Sequence, residues 1–294
     1  MKTHRKRTRW ILEPWAQSPE QGFTATDLLA ILFVVVVLLL TLWPALGRNS
    51  VNVNGYQCLS NHRQLANAWR QWSADNNDNL LSAIGAVFNP NVRPVWISGS
   101  IDYNAGNPSN YDPRQDIMKS PMWSYLSNTT VFRCPADPTT ASDQFVSRLP
   151  RVRSYSMSHV FGRGEWLSGT SSPQLWRIYG KGAEIVIPAK TFLFTDEHPG
   201  TINDGSFSNT CTGNQPNDDP GSSKLVAVPG NYHNGGCTFS FADGHVETHK
   251  WQSDYLRLLT TADNYVAPQN ISAVLYPNLY LDCHWLAERT TAVK

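Results

Sequence analysis

Two short stretches concentrate the side chains that could do chemistry. One is TDEHPGTINDGSF at 195–207 and the other is YHNGGCTFSFADGHVETH at 232–249. Asp196, Glu197, His198, His233, Asp243 and His245 are the donor types that hard or borderline divalent cations use, so calcium or another structural cation is one reading. In strand geometry Asp196 and His198 face one side and Glu197 the other. Asp243 and His245, flanking Gly244 at a turn, could then converge on a strand carrying His233. The competing reading is structural. Asp243-Gly244 suits a type I′ hairpin turn, Asn203-Asp204-Gly205 suits another turn, and His233 can hydrogen-bond across strands. The structural reading outweighs the metal reading, and without a metal the chain needs no cofactor.

No catalytic residue is assigned. The chain has no G-x-S-x-G, H-E-x-x-H, P-loop or Rossmann fingerprint, so an enzyme is not expected. The absence of any C-x-x-C argues against a thiol metal site. Trp96, Trp123, Trp166, Trp176, Trp251 and Trp285 lie in or beside loop-like sequence and could stack on sugars. Core packing is the commoner use of single aromatics.

The elements that position these residues begin with the run GFTATDLLAILFVVVVLLLTLWPAL at 22–46. After Asp27 it is uncharged through Leu46, the length of one membrane-spanning helix over 28–46. A leader carrying Lys2, Arg5, Lys6, Arg7 and Arg9 precedes it and places that end in the cytoplasm. The expectation is a single-pass membrane protein with the bulk of the chain extracytoplasmic. A carboxylate so close to hydrocarbon calls for a partner, which makes Asp27 a functional candidate.

The chain carries 24 Lys and Arg against 23 Asp and Glu, and the leader holds five of the basic and two of the acidic residues. The remainder is mildly acidic, with no electrostatic footprint for nucleic acid. Nineteen glycines, nineteen prolines and eleven tryptophans point to a loop-rich body containing β-structure.

Residues 47–55 are polar and suggest a pause in the helix. Over 56–76, Leu59, His62, Leu65, Ala66, Trp69 and Trp72 recur at helical spacing, with Asn61, Arg63, Gln64, Asn67 and Arg70 directed away. ADNNDN ends that stretch. Beyond it, 80–120 reads as loops, 120–127 as a short helix and Val131–Phe132 as a strand. SYSMSHVF, QLWRIY, AEIVIP and KTFLFTD read as β-runs, FADGH as a hairpin turn, and DYLRLL and LYLDCHWLAE as short helices.

The N-terminal segment resembles the class III signal of type IV pilins and type II secretion pseudopilins. In that family a basic leader ends in Gly, the mature chain starts with Phe, and an acid stands at mature position five. Gly22, Phe23 and Asp27 fill those places, with Asp27 a departure from the usual Glu. Pro44 falls at the family's helix-kinking proline. The resemblance implies that a prepilin peptidase cuts after Gly22 and methylates Phe23. It also implies that Asp27 offsets the new amine of a neighbouring subunit in the inner membrane.

The body resembles a family of prepilin-type processing-associated proteins. CLSNHRQLANAWRQWSADNND, VFRCPAD, KTFLFTDEHPGTINDGSF and the H-x9-DG arrangement of His233 with Asp243-Gly244 carry that likeness. In related sequences the opening-helix cysteine and the CPAD cysteine occur together, which implies a Cys58–Cys134 disulfide. Cys211 with Cys237 is a second pairing, and Cys283 leaves the count odd.

The expected architecture is α+β, with a long N-terminal transmembrane, pilin-type helix packed on a mainly antiparallel β-sheet and a loop-rich C-terminal extension. The expected organisation is a leader over 1–22, a helical region over 23–76 and an extracytoplasmic domain over 77–294. The function implied by resemblance is a pseudopilin-like structural subunit of a type II secretion or type IV pilus-like assembly, partnered by other pilin-like subunits. The alternative is a membrane-anchored exoprotein, either a metal-dependent hydrolase or a glycan-binding module.

Overall fold

The first helix starts where its sequence supplies a reciprocal cap. In a computed structural model, which describes residues 22, 24–84, 93–142, 148–168, 175–261 and 270–294, helix α1 runs from Ala25 to Asp75. Side chains are described outside 41–52 within it. The Thr24 amide donates to Asp27 Oδ2 at 2.9 Å and the Asp27 amide donates back to Thr24 Oγ1 at 3.3 Å. This is capping-box geometry, which satisfies donors that a helix start leaves open. The chain divides into two units, Met1–Asn49 and Ser50–Lys294.

In the first unit, the described apolar side chains from Leu28 to Leu40 are exposed, Phe33 and Leu40 by 70% each. Among the described residues no helix is long and apolar enough to cross a membrane. The expected transmembrane helix at 28–46 is therefore corrected, and with it the single-pass inner-membrane placement and the extracytoplasmic location that depended on it. Phe23 and residues 1–21 of the leader lie outside the described residues, as does the side chain of Pro44.

The expected pause at 47–55 is also corrected, because α1 continues through it. Its later part buries His62, Leu65, Ala66, Trp69 and Trp72, as the periodicity requires. Asn61 is buried too, since its side-chain amide donates to the carbonyls of Thr130 and Arg133. The helix stops at ADNND, where Asn77 and Asp78 adopt φ of 55° and 62°.

Short strands follow. β1 (Thr140–Ser142) and β2 (Arg148–Pro150) form a small antiparallel ladder. The main sheet contains β3 (Tyr155–Ser158), β4 (Phe192–Asp196), β5 (Ser206–Phe207), β7 (Gly236–Phe241) and β8 (Val246–Lys250), in the order β5-β3-β4-β7-β8. All its pairings are antiparallel except β3 with β5, so the sheet is mixed. β6 (Lys224–Leu225) pairs with β9 (Ile271–Ser272). The other α-helices among the described residues are α2 (Trp123–Leu126), α3 (Asp254–Leu258) and α4 (Leu279–Glu288), and short 3-10 turns join many of the elements.

Three β-runs read from sequence are not strands. Thr129–Phe132 is a 3-10 turn capped by Asn128, whose side chain accepts from the Thr130 amide. Trp176 in QLWRIY makes an isolated bridge to Val293. AEIVIP opens in the 3-10 turn Gly182–Glu184 and leads into another at Pro188–Lys190.

Two apolar clusters result. One joins the α1 stripe to Trp96, Phe132, Tyr155, Met157 and Phe194, and the other joins Phe192, Phe207, Phe239, Phe241 and Trp251 to α4. A register shift between Phe192 and Phe194 accompanies their assignment to different clusters, the effect a bulge has on side-chain direction.

Candidate metal centre

Four distant segments bring their polar side chains to one buried point. Cys58 comes from α1, Cys134 from the turn after Thr129–Phe132, Asp196 from the end of β4, and His233 from the segment before β7. One donor atom from each lies within 4.8 Å of all the others. Asp196 Oδ2 stands 3.3 Å from His233 Nε2, Asp196 Oδ1 3.3 Å from Cys58 Sγ, and Cys134 Sγ 3.4 Å from His233 Nε2. Cys58, Cys134 and Asp196 are fully buried.

A second layer orients these groups. The Thr238 amide donates to Asp196 Oδ2 at 2.8 Å, and His62 Nε2 lies 3.3 Å from Asp196 Oδ1. The Tyr155 hydroxyl lies 3.3 Å from Cys58 Sγ. Gly230 lets the chain pass close to the carboxylate, for a Cβ there would sit 2.9 Å from the Asp196 Cβ. The Gly230 amide also donates to the Asp196 carbonyl at 2.9 Å.

The electrostatics follow from burial with compensation. Desolvation alone would raise the Asp196 carboxyl, but hydrogen bonds and attraction from His233 and His62 hold it well below the usual carboxylate range. Burial opposes charge on His62 and His233, yet the bonds to Asp196 prevail and raise them to about 9 and about 10. Burial pushes the Cys58 and Cys134 thiols up. A cation at this point would reverse that tendency for the thiols, since coordination deprotonates sulfur outright.

The six residues singled out from sequence separate. Asp196 and His233 meet, whereas Glu197 and His198 turn elsewhere. Burial raises the Glu197 carboxyl to about 8, opposed by Ser156 and by the Arg153 guanidinium. His198 accepts from the Gly200 amide through Nδ1 at 3.0 Å and bonds the Thr260 carbonyl through Nε2 at 2.8 Å, so both ring nitrogens are engaged. Asp243 and His245 pair with each other at 2.6 Å on a half-exposed turn. β7 separates them from His233 by roughly 20 Å of strand, so they cannot join it.

That turn is a hairpin turn, as the Asp-Gly pair indicates, although not of type I′. The Gly244 amide bonds the Phe241 carbonyl at 2.9 Å, and of Asp243 and Gly244 only Gly244 has positive φ, at 97°. Type I′ demands positive φ at both central residues. Arg70 of α1 donates to the Asp243 carbonyl at 3.0 Å. The two halves of H-x9-DG thus meet α1 at two levels, near Cys58 and at Arg70. The helical rise between those residues, roughly 18 Å, matches the length of β7.

Cys58 and Cys134 do come together, as free thiols. Cys211 and Cys237 are free and serve different apolar clusters. Sequence reasoning missed both cysteines as metal donors, and read His62 as packing. A cavity of about 480 Å³ lies beside the centre, lined in part by Asn61, Arg133, Cys134 and Arg151.

Comparison with protein-family models, curated proteins and solved structures finds no match to this chain. The pseudopilin and secretion assignments therefore draw no support from relatives.

Proposed function

We propose that this chain is a non-catalytic structural subunit that assembles with like subunits, in the manner of a pilin, through the first part of α1. The observation that carries this reading is the exposed apolar surface from Leu28 to Leu40, with Asp27 the one charge at its start. Contiguous apolar surface of this kind marks an interaction site, and the occupant with matching chemistry is the same helix of another copy. Gly22 is the cleavage-side residue for a prepilin peptidase and Phe23 the methylated start. Asp27, held by Thr24 within its own chain, exchanges that contact for the neighbour's amine on assembly.

Mass analysis of the purified N-terminus, combined with photo-crosslinking from a benzoylphenylalanine at position 33, tests the reading. The expected result is a chain starting at methylated Phe23 that forms adducts with itself, lost on Leu32→Glu with Val36→Glu. An intact leader with no self-adducts would overturn it.

A further inference from the structure

We infer that Cys58, Cys134, Asp196 and His233 together bind one zinc-class divalent ion, which ties α1 to the sheet and to the two loops beside it. The inference stands apart from the assembly reading, since it concerns the body alone. Its argument is geometric. Tetrahedral zinc with sulfur at about 2.3 Å and nitrogen or oxygen at about 2.0–2.2 Å places neighbouring donors roughly 3.3–3.8 Å apart. Cys134 Sγ stands 3.4 Å from His233 Nε2, Asp196 approaches His233 through Oδ2 and Cys58 through Oδ1 at 3.3 Å each, and one donor atom from each residue lies within 4.8 Å of all the others, a spread that small side-chain shifts close to that scale.

Donor chemistry selects the ion. Two thiols and an imidazole are poor ligands for calcium or magnesium, which take oxygen, and good ones for zinc. The surrounding groups match a metal's outer layer: Thr238 and His62 fix the carboxylate, and Tyr155 approaches the Cys58 sulfur. On binding, the metal displaces to solvent the two thiol protons and the proton on His233 Nε2, whose imidazole it takes in its neutral form. No electron transfer is involved. All four positions are filled by protein, which is the arrangement of a structural site.

The test uses the full chain, purified with reductant and without chelator. Elemental analysis should find zinc in stoichiometric amount. Cobalt exchanged for it should give the visible bands of a tetrahedral ion together with the near-ultraviolet bands of sulfur ligation. Cys134→Ser and His233→Ala should lose the metal, whereas Asp243→Ala with His245→Ala at the exposed turn should keep it. Should the first pair fail to fold, the cobalt spectrum of the parent still decides whether sulfur is bound. A parent that takes up neither zinc nor cobalt would overturn the inference. So would cobalt bound without sulfur bands, or a Cys58–Cys134 disulfide in protein isolated with its thiols trapped.

Discussion

Asp196 and His233 meet at 3.3 Å in the interior, although one closes a central strand and the other precedes the next. Their contact is the point on which the body's polar interior turns, because His62, Cys58, Cys134 and Thr238 all address the same pair.

Removing that carboxylate should be costly. Asp196→Asn leaves two buried imidazoles without their counter-charge, and breaking a buried pair from one side typically costs about 3–5 kcal/mol. Urea denaturation in chelator, which isolates the metal-free protein, should show a loss of that order. A loss below about 1 kcal/mol, the range of an exposed pair, would contradict it.

Gly230→Ala should destabilise through the same carboxylate. The added methyl would lie 2.9 Å from the Asp196 Cβ and 3.0 Å from the Tyr232 ring, so the strand end must shift. Overpacking of this sort costs about 1–3 kcal/mol. Thermal denaturation of the variant, with metal content measured alongside, checks both effects.

At the hairpin, Gly244→Ala meets two obstacles. The backbone there has φ of 97°, and the new methyl would stand 2.7 Å from Arg70 Nη1. The expected loss is about 1–2 kcal/mol, since left-handed geometry disfavours a Cβ by that amount. Arg70→Ala in the same background should recover part of the loss, and a double-mutant cycle measures how much. Strict additivity would remove Arg70 from the explanation.

His159 supplies a dependence on pH. Burial lowers its pKa to about 3, against 6.5 for the free side chain, and its Nε2 accepts from the Asn209 amide at 3.5 Å. The unfolded chain therefore takes up a proton first. The stability from this neutral ring is complete above about pH 6.5 and is lost as pH falls toward 3. His159→Gln should flatten the decline of unfolding free energy between pH 6.5 and 4.5, measured by urea titration at each pH. An unchanged slope would assign the decline to other groups.

Much of the body was legible because local signals dictated it. The α1 stripe, its Asn-rich stop, the Asp-Gly hairpin, β3, β4 and the two C-terminal helices all appear where periodicity and turn chemistry place them. QLWRIY and AEIVIP have strand composition, yet Trp176 forms an isolated bridge to Val293 and the second segment runs between two 3-10 turns, which composition does not reveal. The centre was half legible. Asp196 and His233 stand in clusters dense with donors, whereas Cys58 and Cys134 lie alone among residues of ordinary packing. Cys134 and His233 are 99 residues apart, and Cys58 and Asp196 are 138 apart. Short-range spacing carries no information about such convergence. Asp243 and His245 misled for the opposite reason, since neighbours two apart at a turn satisfy each other locally.

The order in which the four donors leave the ribosome has a consequence of its own. Cys58, Cys134 and Asp196 emerge well before His233, and none can hold its place until the chain between them has closed three long loops, each costing entropy. An ion captured by fewer than four partners would be weakly held and exchangeable. Firm retention of metal thus reports that synthesis has passed His233 and that the interior has sealed around it.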